Sequence, residues 1–179
     1  MLPVIVKRRN KKIKMNSIEI KEILSTQIEQ YKMFLAMGSD EETLLITPRD
    51  NLNAPFPTKD RNDSFTLGAY ANNALAGVAS FARDGEDREK LRHKGILFTM
   101  YVSKEFRGHG IATQLLEEII KRVKTISDIE QINLIVLTDN LRAKQLYEKF
   151  AFKKYGTEQN SIKWKDKYFT EDQMVLRLK

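Results

Sequence analysis

Two short stretches hold the residues best able to do chemistry in this chain. The first is Arg107-Gly108-His109-Gly110-Ile111-Ala112-Thr113, set between an apolar run, Gly95–Val102, and a segment with Ile111, Leu115, Ile119, Ile120 and Val123 on one helical face. Glycines where a strand gives way to a helix let backbone amides approach a ligand with no Cβ in the way. The start of the helix adds unpaired N–H groups and the positive end of the dipole. Such a turn suits a phosphate or pyrophosphate. The second stretch is Asn140-Leu-Arg-Ala143-Lys-Gln-Leu-Tyr147. Asn140 is suited to cap a helix. Seven residues turn a helix through about 700°, within about 20° of two full turns, so Asn140, Ala143 and Tyr147 line one side. The tyrosine presents a hydroxyl there.

Neither stretch is decisive by itself. Gly108-His-Gly110-Ile-Ala-Thr113 matches the first two glycines of the dinucleotide fingerprint, but Thr113 stands where the third belongs. Five residues separate Val102 from Gly108, unlike the tight turn of a Rossmann unit. No Lys-Ser/Thr pair follows Gly110, which excludes the nucleoside-triphosphate loop. Alone, the turn could be a loop relieved of clashes, and Tyr147 a core tyrosine at helical spacing.

The surrounding elements alternate between strand and helix. Ser17–Glu22 reads as a first strand, and Thr26–Met37 as a helix that Gly38 stops. Residues 38–64 are long and polar, with room for a short helix around Pro48–Leu52. Ser64–Ala71 and Ala74–Phe81 form a hairpin across Asn72-Asn73, because asparagine tolerates the positive φ of a two-residue turn. Arg83–Lys94, dense in both charge signs, reads as a solvated connection. A helix over Ile111–Ile126 follows the glycine turn. Ile132–Leu137 is almost continuously apolar, as a strand buried on both faces should be. A helix over Asn140–Phe150 and strands over Phe152–Glu158 and Met174–Leu178 complete the chain.

Composition narrows the function classes. The 179 residues include no cysteine, so disulfides, thiolate nucleophiles and thiolate metal sites are excluded. No apolar run reaches the roughly 20 residues of a membrane span, and the short start Met1–Val6 lacks the charged region of a secretion signal. A cytoplasmic domain is expected. The net charge is +7, yet residues 1–14 hold six basic residues and no acid, and residues 15–179 hold 25 basic against 24 acidic. The basicity belongs to a tail, 1–14, expected to be disordered. That tail could touch RNA or anionic lipid, but the near-neutral body argues against a nucleic-acid surface.

Together, the two stretches resemble a known family. Arg107-x-x-Gly110-x-Ala112 is similar to the Q/R-x-x-G-x-G/A motif of the GNAT superfamily of acyl-CoA-dependent N-acyltransferases. Asn140-x-x-Ala143-x-x-x-Tyr147-Glu148-Lys149-Phe150-Ala151-Phe152 resembles its N-x-x-A-x-x-x-Y-E-K-x-G-F segment. The resemblance covers Ser64 to Lys179 and implies a single α/β (α+β) domain over 15–179. Its sheet would be mixed and mostly antiparallel, with about seven strands, a splay between the fourth and fifth, and helices on both faces.

The resemblance also implies roles. The backbone of Arg107, Gly108, His109, Gly110, Ile111 and Ala112, with Thr113, would cradle the pyrophosphate of acetyl-CoA. Met100, Tyr101 and Val102 would pair with its pantetheine arm, and an amide there would polarise the acyl carbonyl. Asn140 and Ala143 would face the arm, and Tyr147 would protonate the departing thiolate. No metal is implied. Many members pair through their last strands, so a homodimer is compatible.

Two departures stand out. Ala151 replaces the family's usual glycine, and Gly95–Val102 lacks the Asp or Glu from which some members draw a general base. The acceptor would lie between Tyr31–Asp63 and Gly156–Glu171. The acids Asp40, Glu41, Glu42, Asp50, Asp60 and Asp63 would suit a cationic amine such as a polyamine, an amino-sugar or a lysine side chain, though a solvated loop has the same composition. Trp164 and Tyr168 could wall a pocket or merely pack. The expected function is acetyl transfer from acetyl-CoA to an amine; a non-catalytic acyl-CoA sensor and an RNA- or ribosome-associated protein are the alternatives.

Overall fold

The structure, a computed structural model, describes residues 17–38, 41, 54–85 and 88–179. The basic tail 1–14, the short helix expected around Pro48–Leu52, and Asp40, Glu42 and Asp50 lie outside the described residues.

Strands β1 (Ile18–Ile23), β2 (Ser64–Ala71), β3 (Ala74–Arg83), β4 (Lys94–Val102), β5 (Gln131–Leu137), β6 (Lys153–Trp164) and β7 (Lys167–Arg177) form one sheet in the order β1-β2-β3-β4-β5-β7-β6. Every neighbouring pair is antiparallel except β4–β5. Helix α1 (Ile28–Ala36) follows β1 after one 3-10 turn, α2 (Ile111–Val123) joins β4 to β5, and α3 (Leu141–Lys149) follows β5.

The apolar pattern assigns each helix its place. Val78 and Ala79 are consecutive on β3 and therefore point to opposite faces. Val78 packs with Tyr31, Phe34 and Leu35 of α1. Ala79 belongs to the larger cluster with Leu115, Leu116 and Ile119 of α2, and Tyr147 of α3 is in that cluster too. Helices thus cover both faces. Each fully buried Leu, Ile or Phe contributes about 1.5–3 kcal/mol relative to exposure, so α2, with five buried residues, is a principal anchor of the sheet. The β2–β3 turn takes the expected form, with Asn72 at φ 50° and Asn73 at φ 64°.

Four expectations are corrected. The Ile132–Leu137 run is not buried on both faces, because Ile135 is 51% exposed. Arg83 is not part of a solvated connection: it ends β3, is buried, and pairs with Asp63 and Asp128, each at 2.8 Å. Helix α2 stops at Val123 rather than Ile126. Strands β6 and β7 are longer than predicted, and they meet at a turn of Lys165 and Asp166, φ 47° and 60°.

Helix α3 ends through Ala151, at φ 65°. The amide of Phe152 donates back to the carbonyl of Tyr147 and that of Ala151 to Glu148, so the left-handed terminus forms without glycine. A Cβ in that region costs about 1–2 kcal/mol. Ala151→Gly is therefore expected to stabilise the protein by about 1 kcal/mol. A thermal melt should show the midpoint rise by about 2–4 °C; an unchanged midpoint would mean that the left-handed turn carries no strain.

Candidate active site

Strands β4 and β5 are in register over only three pairs: Lys94 with Gln131, Gly95 with Ile132, and Ile96 with Asn133. Beyond them, Leu97–Val102 and Leu134–Leu137 do not pair with each other. The sheet opens as a wedge. Opposite β3 the register of β4 also breaks, because Ser80 faces Phe98 and Val78 faces Tyr101, leaving Thr99 and Met100 against the single Ala79. This bulge holds Thr99 at φ 48°. Nothing in the sequence announced it.

The glycine turn closes one end of the wedge. Gly108 and Gly110 have φ of 84° and 78°, and a Cβ built on either would meet no atom within 4 Å. The glycines therefore line open space, at backbone angles that other residues rarely adopt. Gly110 is the N-cap of α2 and has no side-chain cap. Among the described residues, the amides of Gly108 to Thr113 donate to no backbone or side-chain acceptor, whereas that of Arg107 donates to the Lys104 carbonyl. Six consecutive free donors at a helix start fit a diphosphate. His109 donates from Nδ1 to the Phe106 carbonyl at 3.2 Å, which braces the turn.

Arg107 turns away from this cradle. Its Nε donates to the Val102 carbonyl at 2.9 Å and its Nη2 to Glu41 at 2.6 Å. The Tyr101 hydroxyl donates to the other oxygen of Glu41 at 2.9 Å. Burial first, and then this carboxylate, push the Tyr101 phenol up to about 12. A Cβ on Gly38 would collide with the Tyr101 ring. Glu41 is a site neighbour that the sequence offered only as one acid in an acid-rich loop.

Two other acids of that loop are also engaged. Asp60 accepts from the Ser25 amide, and Asp63 from Arg61 and Arg83. With Glu41 they stabilise the fold, which removes three carboxylates from the case for a cationic acceptor. Trp164 and Tyr168 are exposed and lie beside Lys165 and Lys163.

Across the wedge, Asn140 caps α3, its Oδ1 accepting from the Ala143 amide at 3.2 Å. One turn on, Lys144 reaches Asp172 of β7 at 2.6 Å and the Thr138 carbonyl at 3.2 Å. Asp172 is fully buried and also accepts from Thr157. Burial alone would raise its pKa, but the bonds from Lys144 and Thr157 and the charges of Lys144 and Lys154 outweigh that and hold it at about 2. This clamp fixes the helix that carries Tyr147. The Tyr147 ring is buried, 5.7 Å from that of Phe152, and burial pushes its phenol up to about 12. Its hydroxyl has no hydrogen-bond partner among the described residues, and it is not sealed from solvent; the one sealed and unpartnered side-chain atom among the described residues is Thr138 Oγ1. It is a hydroxyl with no acceptor among the described residues.

A family model for acetyltransferases of the GNAT family matches residues 27–152, a span that includes both the amide cradle and the Tyr147 helix. The chain belongs to the GNAT acetyltransferase family. It is similar to an N-alpha-acetyltransferase of Saccharolobus solfataricus, 44% identical over 64 residues, which are 36% of this chain and 38% of that protein. It is also similar to a spermine/spermidine N(1)-acetyltransferase of Bacillus subtilis, 23% identical over 91 residues, 50% of this chain and 60% of the relative. The matched segments thus span less than two thirds of these relatives' lengths. Among solved structures, yncA of Salmonella typhimurium with its cofactor acetyl-CoA superimposes with a TM-score of 0.78 at 15% identity, covering 92% of this chain and 95% of that one. That likeness shows the GNAT fold. No helix among the described residues is long and apolar enough to cross a membrane.

Proposed function

We propose that this GNAT chain moves an acetyl group from acetyl-CoA directly to a primary amine of a small molecule or peptide, with Tyr147 as general acid. The observation that carries the reading is the row of free amides from Gly108 to Thr113 beside the β4–β5 wedge. The diphosphate would rest on those amides and the pantetheine arm would lie along Met100–Val102, bringing the thioester toward Tyr147. An amide of β4 would polarise the acyl carbonyl as the amine attacks it, placing a hydrogen bond where negative charge develops. On collapse, the carbon–sulfur bond breaks and the Tyr147 hydroxyl gives its proton to the sulfur, while the attacking nitrogen sheds a proton to solvent, from which the phenolate is reprotonated. A phenol held near 12 is a weak acid toward a thiolate, whose ordinary value is about 8.5. Transfer becomes feasible because burial also raises the basicity of a thiolate generated in the same pocket.

The acceptor class draws support from the two relatives, one named for α-amino groups and the other for polyamines; both are primary amines. The test is a thermal-shift titration with acetyl-CoA, followed by thiol release from acetyl-CoA in the presence of spermidine, lysine and short peptides. The expected result is stabilisation by several degrees and amine-dependent thiol release. Absence of stabilisation would overturn the reading. Tight binding with no thiol release would leave an acyl-CoA sensor in its place.

A further inference from the structure

The margin of β4 ends at Val102, and the row of free amides begins at Gly108. Between them lies a 3-10 turn, Lys104–Phe106. Arg107 closes this stretch into a ring, because its Nε donates to the Val102 carbonyl five residues back. The side chain that makes this bond is 30% exposed and needs a second hold to stay in place. Glu41 supplies it. One of its carboxylate oxygens accepts from Arg107 Nη2, the other from the Tyr101 hydroxyl, and Lys104 Nζ lies 4.0 Å away. Tyr101 is itself fixed: its ring is buried, lies 5.5 Å from that of Phe34 on α1, and sits against Gly38 where no Cβ would fit. The Glu41 amide donates to the carbonyl of that same glycine at 2.9 Å. The circuit from Val102 through Arg107 and Glu41 to Tyr101 thus returns to β4, one residue from where it began, through three bonds of 2.6–2.9 Å.

We propose that Glu41 is a positioning residue for acetyl-CoA: it holds Arg107 across the turn and thereby fixes the spacing between the β4 margin and the amide row. The inference rests on the acetyltransferase reading for the identity of the ligand, because the pantetheine arm and the diphosphate of one molecule would meet these two surfaces. When the spacing is set in advance, the second contact becomes intramolecular once the first is made. The geometry opposes a direct phosphate contact from Arg107, since its guanidinium is committed to the Val102 carbonyl and neutralised by Glu41. The brace itself stands on the hydrogen bonds alone.

The test compares a whole ligand with one of its parts. Glu41→Gln keeps the size of the side chain but offers one acceptor to two donors. Calorimetry should show acetyl-CoA binding weakened about tenfold, while ADP, which reaches only the amide row, binds within about twofold of its wild-type affinity. Arg107→Met, which keeps the stem and removes the fork, should cost the same, and the double variant no more than either single change. Unchanged or tighter acetyl-CoA binding in Glu41→Gln would overturn the proposal, as would additive losses in the double variant. Equal losses for acetyl-CoA and ADP would overturn it too, because the turn itself would then have come apart. A second readout needs no ligand: the amide NMR signals of Gly108 to Thr113 should move in Glu41→Gln and in Arg107→Met alike, and unmoved signals would remove the brace. If the wild type fails to bind acetyl-CoA, the acetyltransferase reading falls, while the NMR signals still decide whether Glu41 shapes the turn.

Discussion

Replacing Tyr147 with Phe is expected to lower kcat by about 10²–10⁴-fold, the usual worth of a positioned general acid, while acetyl-CoA affinity changes little. The structure makes this substitution unusually clean. The ring is buried against Phe152, so Phe keeps the packing, and the hydroxyl has no partner among the described residues whose bond could be lost. Removing an unpaired hydroxyl from a buried position is neutral or slightly stabilising. Loss of activity with an unchanged melting temperature would therefore report on chemistry alone. The pH dependence adds a second check. Because the phenol is raised to about 12, it is protonated throughout the working range and lost as an acid only as pH climbs toward that value. A plot of kcat against pH from 6 to 10 should carry no descending alkaline limb from Tyr147, and any limb shared by wild type and variant must belong to another group. Should the Phe variant turn over at the wild-type rate, the proton reaches the thiolate from elsewhere and the assignment fails.

Gly110→Ala is expected to weaken acetyl-CoA binding by about a hundredfold, measured by calorimetry, because the substitution puts a methyl group among the amides that would hold the diphosphate. A Cβ at this position meets no protein atom within 4 Å, so any clash is with the ligand. The left-handed angle of 78° adds strain of about 1–2 kcal/mol to the free protein. The chain bears a similar strain at Ala151, at φ 65°, so the variant should fold with a slightly lowered midpoint. With Tyr147 untouched, kcat at saturating acetyl-CoA should fall far less than kcat/KM. Affinity unchanged within a factor of two would place the diphosphate away from this turn.

Local rules made much of the molecule legible. Asn72-Asn73 marked the first hairpin because two positive φ angles demand such residues, and Asn140 marked the start of α3 because its side chain replaces a missing acceptor. The glycine turn was readable for the same reason. The β6–β7 hairpin was not fully readable, because β6 is largely exposed and the half of β7 nearest the turn, Lys167–Glu171, has no buried residue to set the period. Ile135 misled because apolar composition reports what a strand could bury, whereas the presence of a covering element decides what it does bury. Contacts made across long separations left no trace in the sequence. Glu41 meets Tyr101 and Arg107 across 60 and 66 residues.

The parting of β4 from β5 has one more consequence. A sheet normally has two margins, and proteins guard them because rows of unpaired backbone groups recruit strands from other molecules. Here the separation creates two extra margins in the interior, along Leu97–Val102 and Leu134–Leu137. They face each other across a gap that narrows to the paired residues Ile96 and Asn133. A foreign strand would have to enter edgewise and carry its side chains above and below the sheet, where α1, α2 and α3 already pack. A slender chain of amides without side chains has no such obstacle. The same notch that leaves hydrogen-bonding groups unsatisfied thus selects, by shape alone, what is allowed to satisfy them.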